Sequence, residues 1–142
     1  PLPLSAEQRR TSAALLWLLK GHAAQRAIAA WHAGWQPARD TSGDGWLAPH
    51  LARLLDDPYG VVRHIANESL KKQSGFAQFE FDFIAPGPER ARLAKRAIAR
   101  WNKLPSDATG DAVLIDPDRQ LMETAIQALL KNRDNRPVSI KE

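Results

Sequence analysis

A four-residue pattern, Arg-x-Ile-Ala, occurs three times in this chain of 142 residues and constrains its fold more than any other feature. The copies begin at Arg26, Arg63 and Arg96, and two of them extend to the near-identical hexapeptides RAIAAW and RAIARW. Recurrence with a period of about 20 to 50 residues is typical of stacked repeats, in which each unit buries its apolar face against a neighbour. The pattern therefore predicts a repeat architecture.

Helical periodicity accounts for most of the chain. Ser5 followed by Gln8 predicts a capping box at the start of a helix that runs to about Lys20, where Gly21 ends it. Apolar residues three and four apart predict further helices over 23–31, 46–55, 61–74, 89–103 and 121–130. The segment 36–45 is rich in Pro, Gly and Asp, and it predicts a loop.

Phe79, Phe81 and Phe83 alternate with acidic residues, which predicts an extended segment with its aromatic rings on one side. The short apolar run 112–115 predicts a strand beside it. Two interpretations of the Phe row stay open. If it is uncovered, it is a partner surface, and if it is covered, it closes the last repeat.

Composition excludes several classes of protein. The chain has no cysteine, which excludes disulfides, thiolate zinc sites, attached c-type haem and cysteine nucleophiles. Its longest apolar run, 13–19, is far too short to cross a bilayer, so we expect no membrane insertion. The chain begins with Pro1 and has no signal-like segment, which predicts a piece of a longer protein and leaves the cell compartment open.

The segment Leu54 to Leu70, LLDDPYGVVRHIANESL, resembles a HEAT repeat. The HEAT pattern places a Leu-Leu pair, an Asp-Pro turn, a Val-Arg pair and an Ala in this order, here at Leu54-Leu55, Asp57-Pro58, Val62-Arg63 and Ala66. The resemblance covers residues 5–103 and is closest in the middle. The sequence DDPYGVVR, followed by a Gly-Phe segment, is also similar to modules appended to bacterial multihaem c-type cytochromes.

The resemblance implies an all-α fold, a short α-solenoid of about three antiparallel helix pairs in a single domain, 1–142. The implied repeats are 5–35, 46–74 and 88–131, with an irregular insertion at 76–86, a C-terminal helix and a polar tail at 132–142. In such families the turn aspartate and the arginine bridge neighbouring repeats. The structural ladder implied here consists of Arg26, Asp57, Arg63 and Arg96.

Asp40, Ser42 and Asp44 have the spacing of the first half of an EF-hand calcium loop. Leu51 occupies the position of the bidentate glutamate, so a polar turn is the favoured interpretation and calcium a minor alternative. The four histidines lack metal-ligand spacing. Catalytic loop motifs are absent from the sequence, and we expect neither an enzyme nor a bound cofactor.

The predicted fifth helix carries a cluster of basic residues, and five tryptophans are many for this length. Helical position predicts that Trp17, Trp31 and Trp101 are buried, whereas Trp35 and Trp46 flank the loop. One interpretation is that these basic residues form a solvated helix face. The other is that they bind a nucleic-acid backbone, as HEAT-like DNA glycosylases do. The basic residues are Arg92, Lys95, Arg96, Arg100 and Lys103.

We therefore predict a non-catalytic scaffold that binds a protein partner, or a neighbouring domain of its parent chain, in a concave groove. Nucleic-acid backbone binding is the second hypothesis, and an accessory domain of a multihaem electron-transfer protein is the third. The predicted groove residues are His64, Asn67, Lys71, Arg92, Arg96 and Arg100.

Overall fold

In the computed structural model, residues 3–43 and 45–137 are described, apart from the side chains of Glu7 and Ser42. Within this part of the chain the fold is helical, and β-type pairing is limited to two isolated bridges, Gly110 with Ile115 and Ile115 with Leu121. The all-α prediction is confirmed. The α-helices are α1 (Ala6–Arg10), α2 (Ala13–Lys20), α3 (Ala23–Gly34), α4 (Gln36–Ser42), α5 (Ala48–Arg53), α6 (Gly60–Lys71), α7 (Gly87–Asn102) and α8 (Glu123–Lys131), and 3-10 helices span Leu54–Asp56 and Asp111–Val113.

Helix α5 is the centre of the core, because five consecutive residues, 48–52, are buried on it. A helix that is buried on every side must be covered by neighbours. Helices α2, α6 and α7 all contact it. The leucines of α2 and of the segment 51–55 fill the space between these helices.

Helix α3 packs closely on α6 through small residues. A Cβ on Gly34 would lie 2.6 Å from the hydroxyl oxygen of Ser69, and that hydroxyl donates a hydrogen bond of 2.5 Å to the carbonyl of Ala30. Gln73 donates from Nε2 to the carbonyl of Ala33 at 3.1 Å. Small side chains let two helices approach and bring polar groups of one to the carbonyls of the other.

Local signals were only partly sufficient to place the helices. The capping box is confirmed, since Gln8 N–H donates to Ser5 Oγ at 3.1 Å and Ser5 N–H to Gln8 Oε1 at 2.8 Å. The single helix predicted up to Lys20 is wrong. The chain breaks at Ser12, whose N–H donates to the carbonyl of Ala112 at 2.9 Å instead of continuing the helix.

Two predicted non-helical segments also differ. The predicted loop 36–45 contains α4, where Pro37 lies in the first turn, Gln36 donates to Asp40 Oδ1 at 2.6 Å and Thr41 Oγ1 donates to the Pro37 carbonyl at 2.9 Å. The predicted strand at 112–115 begins as a 3-10 turn, and residue 115 pairs with Gly110 and Leu121 and not with the Phe segment. Residues 138–142 of the predicted tail lie outside the described residues.

The two near-identical hexapeptides present different faces to the core. In α3, RAIAAW buries Arg26 and Ala30, whereas in α7, RAIARW buries Ala97 and Trp101. The buried face is thus shifted by one residue, which is about 100° around a helix. The same position of the hexapeptide therefore faces the core in one helix and solvent in the other.

A buried ion pair joins α3 to the turn before α6. Arg26 donates from Nε to Asp57 Oδ2 at 2.7 Å and from Nη2 to Oδ1 at 3.1 Å, and both side chains are fully buried. Nη1 of Arg26 donates to the carbonyls of Gly21 and Asp134 at 2.7 and 3.0 Å. Asp57 Oδ1 also accepts the N–H of Tyr59 at 3.0 Å. The pair is therefore bonded to three separate segments of the chain.

An arginine is the fourth residue of each of α3, α6 and α7, and each donates to the carbonyl five residues earlier. The distances are 2.7 Å from Arg26 to Gly21, 3.2 Å from Arg63 to Pro58 and 2.7 Å from Arg90 to Ala85. Arg63 also donates to the carbonyls of Asp57 and Phe83, both at 2.7 Å. Arg90 Nε lies 3.5 Å from Asp56 Oδ1.

Arg96, the third arginine of the implied ladder, differs from these. It is exposed and makes no side-chain hydrogen bond or ion pair in the described chain. Because α7 buries Ala97 and Trp101, Arg96 points to solvent. Arg90, earlier on the same helix, faces the Asp56-Asp57 turn instead. The recurring geometry therefore involves Arg26, Arg63 and Arg90.

Arg26→Ala and Arg96→Ala change the first residue of the same motif, and we expect them to have different effects on the free energy of unfolding. Arg26→Ala should lower the free energy of unfolding by about 3–5 kcal/mol, because a buried carboxylate loses its partner. Arg96→Ala should change it by less than about 0.5 kcal/mol. Urea unfolding followed by tryptophan fluorescence measures both. Equal losses would contradict the different burial of the two arginines.

His50 is a buried histidine that helical periodicity does not reveal. Its Nε2 lies 2.7 Å from the carbonyl oxygen of Val113, so this nitrogen carries the proton, and its Nδ1 has no partner within the described residues. Burial lowers the pKa of His50 from 6.5 to about 4, with a smaller lowering from Arg53, while the Val113 carbonyl and Glu123 oppose the shift. The neutral ring is the form that the fold accommodates.

Stability should therefore depend on pH between 6.5 and about 4. The unfolded chain binds more protons at this residue than the folded chain in this window, so the free energy of unfolding falls as the pH falls, by up to about 3 kcal/mol. In His50→Gln, which keeps a donor for the Val113 carbonyl, this part of the pH dependence should disappear. Denaturant unfolding at several pH values gives the slope, and an identical slope in the variant would refute the assignment.

Candidate protein interface

The predicted groove residues lie on two helices, α6 and α7. Asn67 is buried, His64 and Lys71 are exposed on α6, and Arg92, Arg96 and Arg100 are exposed on α7. Arg92 is bound by Glu89 at 2.6 and 3.0 Å, and Arg100 donates to the Gly75 carbonyl at 2.6 Å. The side chains that would recognise a partner are therefore spread over two helices, and two of them are already engaged.

The Phe segment contacts both of these helices. The ring of Phe83 lies 4.9 Å from that of His64 on α6, and Phe76 lies beneath Arg100 of α7, 5.9 Å from its guanidinium carbon. Phe76 and Phe79 are buried, while Phe81 and Phe83 are half-buried. The segment is packed irregular chain, with no strand in the described residues, and its Phe row is not an open apolar patch.

The calcium alternative falls largely outside the described residues. Asp40 lies on α4 and accepts the Gln36 amide, as described above. Asp44 and the side chain of Ser42 lie outside the described residues. In the rest of the chain, no three His, Asp or Glu side chains come close enough together to hold a metal ion.

The tryptophans are placed differently from the sequence prediction. Trp101 and Trp46 are buried, but Trp17 is 45%, Trp31 58% and Trp35 48% exposed. The prediction that Trp17 and Trp31 are buried is wrong. For Trp31 the cause is the rotation of α3, which turns Arg26 and Ala30 inward.

Three exposed tryptophans and Ile28 form what we call the tryptophan face: Trp17, Ile28, Trp31 and Trp35. Trp17 lies on α2 and Ile28 and Trp31 on α3, while Trp35 is the residue between α3 and α4. The rings of Trp31 and Trp35 stack with centroids 6.2 Å apart and planes at 17°. Stacked indoles form a flat and rigid apolar surface.

An apolar groove of about 490 Å³ opens on this face between α2, α3 and α4. Trp17, Ile28 and His32 stand at its sides, and small residues leave room between them. Its small lining residues are Ser12, Ala13, Ala14, Ala29, Ala33 and Ala38, and its deeper ones are Leu18, Trp46 and Leu47. This shape accepts bulky apolar side chains.

The border of the face is positively charged. A second hollow of about 430 Å³ lies beside the stacked indoles and is lined by Arg39 and Lys72. Arg39 donates to the carbonyl of Lys72 and to the side chain of Gln36, which fixes its position. Within the described chain, neither hollow is lined by a carboxylate.

One signal in the sequence pointed to this face. If the implied ladder places Arg26 in the interior, then Trp31, five residues later, lies about 140° away around the helix and faces solvent. The hydrophobic pattern alone favoured the opposite rotation, because α3 carries apolar residues on most of its circumference. Sequence reasoning did not single out Arg53 and Arg90, and it placed Ile28 on the apolar stripe of the second helix, where the structure leaves it 56% exposed.

Protein-family models, curated proteins and solved structures were compared with this chain, and none of them matches it. In the described residues, the helices are too short or too polar to cross a membrane.

Proposed function

We propose that this chain is a non-catalytic protein-binding module and that the tryptophan face is its docking surface. The observation that supports the proposal is the exposure of four large apolar side chains at two hollows. Trp17 and Ile28 line the apolar groove, and the stacked Trp31 and Trp35 line the second hollow. Tryptophan is among the residues that dominate binding energy at protein interfaces. Exposed contiguous apolar patches on a single chain mark such sites.

The partner that fits is a protein segment with bulky apolar side chains flanked by carboxylates. The groove removes apolar side chains from water, and Arg39 and Lys72, which line the second hollow beside the stacked indoles, attract acidic residues. Charge complementarity of this kind favours acidic over basic partners and raises the association rate.

We further propose that the helices form a short HEAT-like solenoid of about three antiparallel pairs within one domain. Two observations support this arrangement. The arginine at the fourth residue of α3, α6 and α7 makes the same backbone contact in each helix. Helix α3 also contacts both α2 and α6. The tryptophan face would then be the uncovered side of the first pair.

Nucleic-acid binding is a weaker candidate. Helix α7 exposes Arg92, Arg96 and Arg100 along one side, and the exposed Lys103 follows its end, which is the pattern of a phosphate-contacting helix. Glu89 neutralises the first of these, and the carbonyl of Gly75 occupies the third. The similarity to modules of multihaem cytochromes suggests a third candidate, an electron-transfer protein as the parent chain.

The double substitution Trp31→Ser with Trp35→Ser should weaken partner binding by at least about thirtyfold, which corresponds to about 2 kcal/mol of lost interface energy. A photo-reactive amino acid at position 28 captures the partner in cells, and isothermal titration with the purified partner measures the affinity. The melting temperature should change little, because both side chains are half exposed.

The matched control is Ile84→Ser, which removes an apolar side chain that is 75% exposed but lies outside the face. It should leave the affinity unchanged. If Ile84→Ser weakened binding as much as the double substitution, or if the double substitution bound normally, the tryptophan face would not be the docking surface.

A further inference from the structure

A second surface with a distinct chemistry lies away from the tryptophan face. It is a cleft of about 290 Å³ between α7, the end of α8 with the residues that follow it, and the end of α5 with the adjoining 3-10 helix. Ala91, Ala94 and Ile98, spaced along one side of α7, form its apolar floor together with Leu130. We call it the α7–α8 cleft.

The rim of the α7–α8 cleft is cationic. Arg53, Lys95 and Arg133 line it, with Asp56 as the single carboxylate, so the lining carries two more positive than negative charges. Including the ion-pair partners of these residues does not change the surplus. Arg90 faces Asp56, Glu123 faces Arg53, and Asp57 near Arg133 is already held by Arg26.

Some of the cationic groups still have hydrogen-bonding capacity. Lys95 is exposed and makes no hydrogen bond or ion pair with the described residues. Nε of Arg53 is buried and has no hydrogen-bond partner in that part of the chain, although Nη2 of Arg53 donates to Glu123 Oε1. The cationic group of this rim with free hydrogen-bonding capacity at the surface is therefore Lys95, which can donate to an anion in the cleft.

We propose that the α7–α8 cleft binds a small phosphate monoester whose organic part is apolar. A phosphate monoester carries about −1.5 to −2 charges at neutral pH, which matches the surplus of two, whereas a carboxylate carries only one. Lysine and arginine donate strong charge-assisted hydrogen bonds to phosphate oxygens. The apolar floor distinguishes an ester with an organic group from inorganic phosphate, because only the ester places carbon atoms on Ala94, Ile98 and Leu130.

This inference does not rest on the proposed function, since the tryptophan face shares no residue with the cleft. It concerns the chemistry of the ligand. The phosphate ester is either a free molecule or the headgroup of a phosphatidic-acid-like lipid, and the same cations would recognise both.

Phenyl phosphate is the probe for the free ester, titrated into the whole chain and followed by NMR chemical shifts. We expect saturable binding that is at least about fivefold tighter than that of inorganic phosphate. Lys95→Gln should weaken it at least about fivefold. Lys103→Gln, the same change at an exposed lysine that follows the end of α7 and lies outside the cleft, should weaken it less than about twofold.

Vesicles of phosphatidylcholine with and without phosphatidic acid form the second arm. Binding that requires phosphatidic acid and is lost in Lys95→Gln assigns the site to a lipid headgroup, whereas phenyl phosphate binding alone assigns it to a free ester. Three results would each overturn the proposal: no saturable binding of either probe, equal affinity for inorganic and phenyl phosphate in the absence of vesicle binding, or equal effects of Lys95→Gln and Lys103→Gln.

Discussion

The ion pair between Arg26 and Asp57 is the interaction on which the rest of the structure depends. It bonds the start of α3 to the turn before α6, and through Asp134 it also holds the chain beyond α8. A buried ion pair of this kind adds little net stability, because removing both charges from water is costly. The ion pair instead fixes the positions of the two segments that it joins. If Arg26 and Asp57 were not aligned, each charge would be buried without a hydrogen-bond partner.

This requirement fixes the rotation of α3. Once Arg26 faces Asp57, Ala30 and Ala33 must face α6, and the close contact of Gly34 with Ser69 becomes possible. The other side of α3, with Ile28 and Trp31, then faces solvent. The apolar face that we propose as a docking surface is thus a direct consequence of how the interior is bonded.

Sequence reasoning succeeded where the interactions are local. The Ser5–Gln8 capping box and the end of α2 at Gly21 depend on residues a few positions apart, and both were predictable. It failed where a distant partner decides. The rotation of α3 depends on Asp57, 31 residues away, and the burial of His50 depends on the Val113 carbonyl, 63 residues away.

Composition misled in one further place. Pro, Gly and Asp between residues 36 and 45 favoured a loop, yet α4 forms because Pro37 lies in its first turn, where a missing N–H has no cost. The candidate site was less predictable than the fold. The α7–α8 cleft and the tryptophan face are each assembled from side chains of several helices, and a single helix pattern cannot show such a juxtaposition.

The two copies of the hexapeptide contain a tryptophan that the fold requires, Trp101, and one that it only tolerates, Trp31. Trp101 is fully buried and donates from its indole N–H to the Gly45 carbonyl at 2.7 Å, so the interior accounts for it. Trp31, at the same position of the motif, buries less than half of its side chain, so a polar residue there would cost the fold little. Exposed indoles increase the contact of apolar area with water, and this cost is recovered when a partner covers them. Folding therefore explains Trp101 but not the exposed Trp17, Trp31 and Trp35, and it is for these three that we propose a role in binding an apolar partner segment.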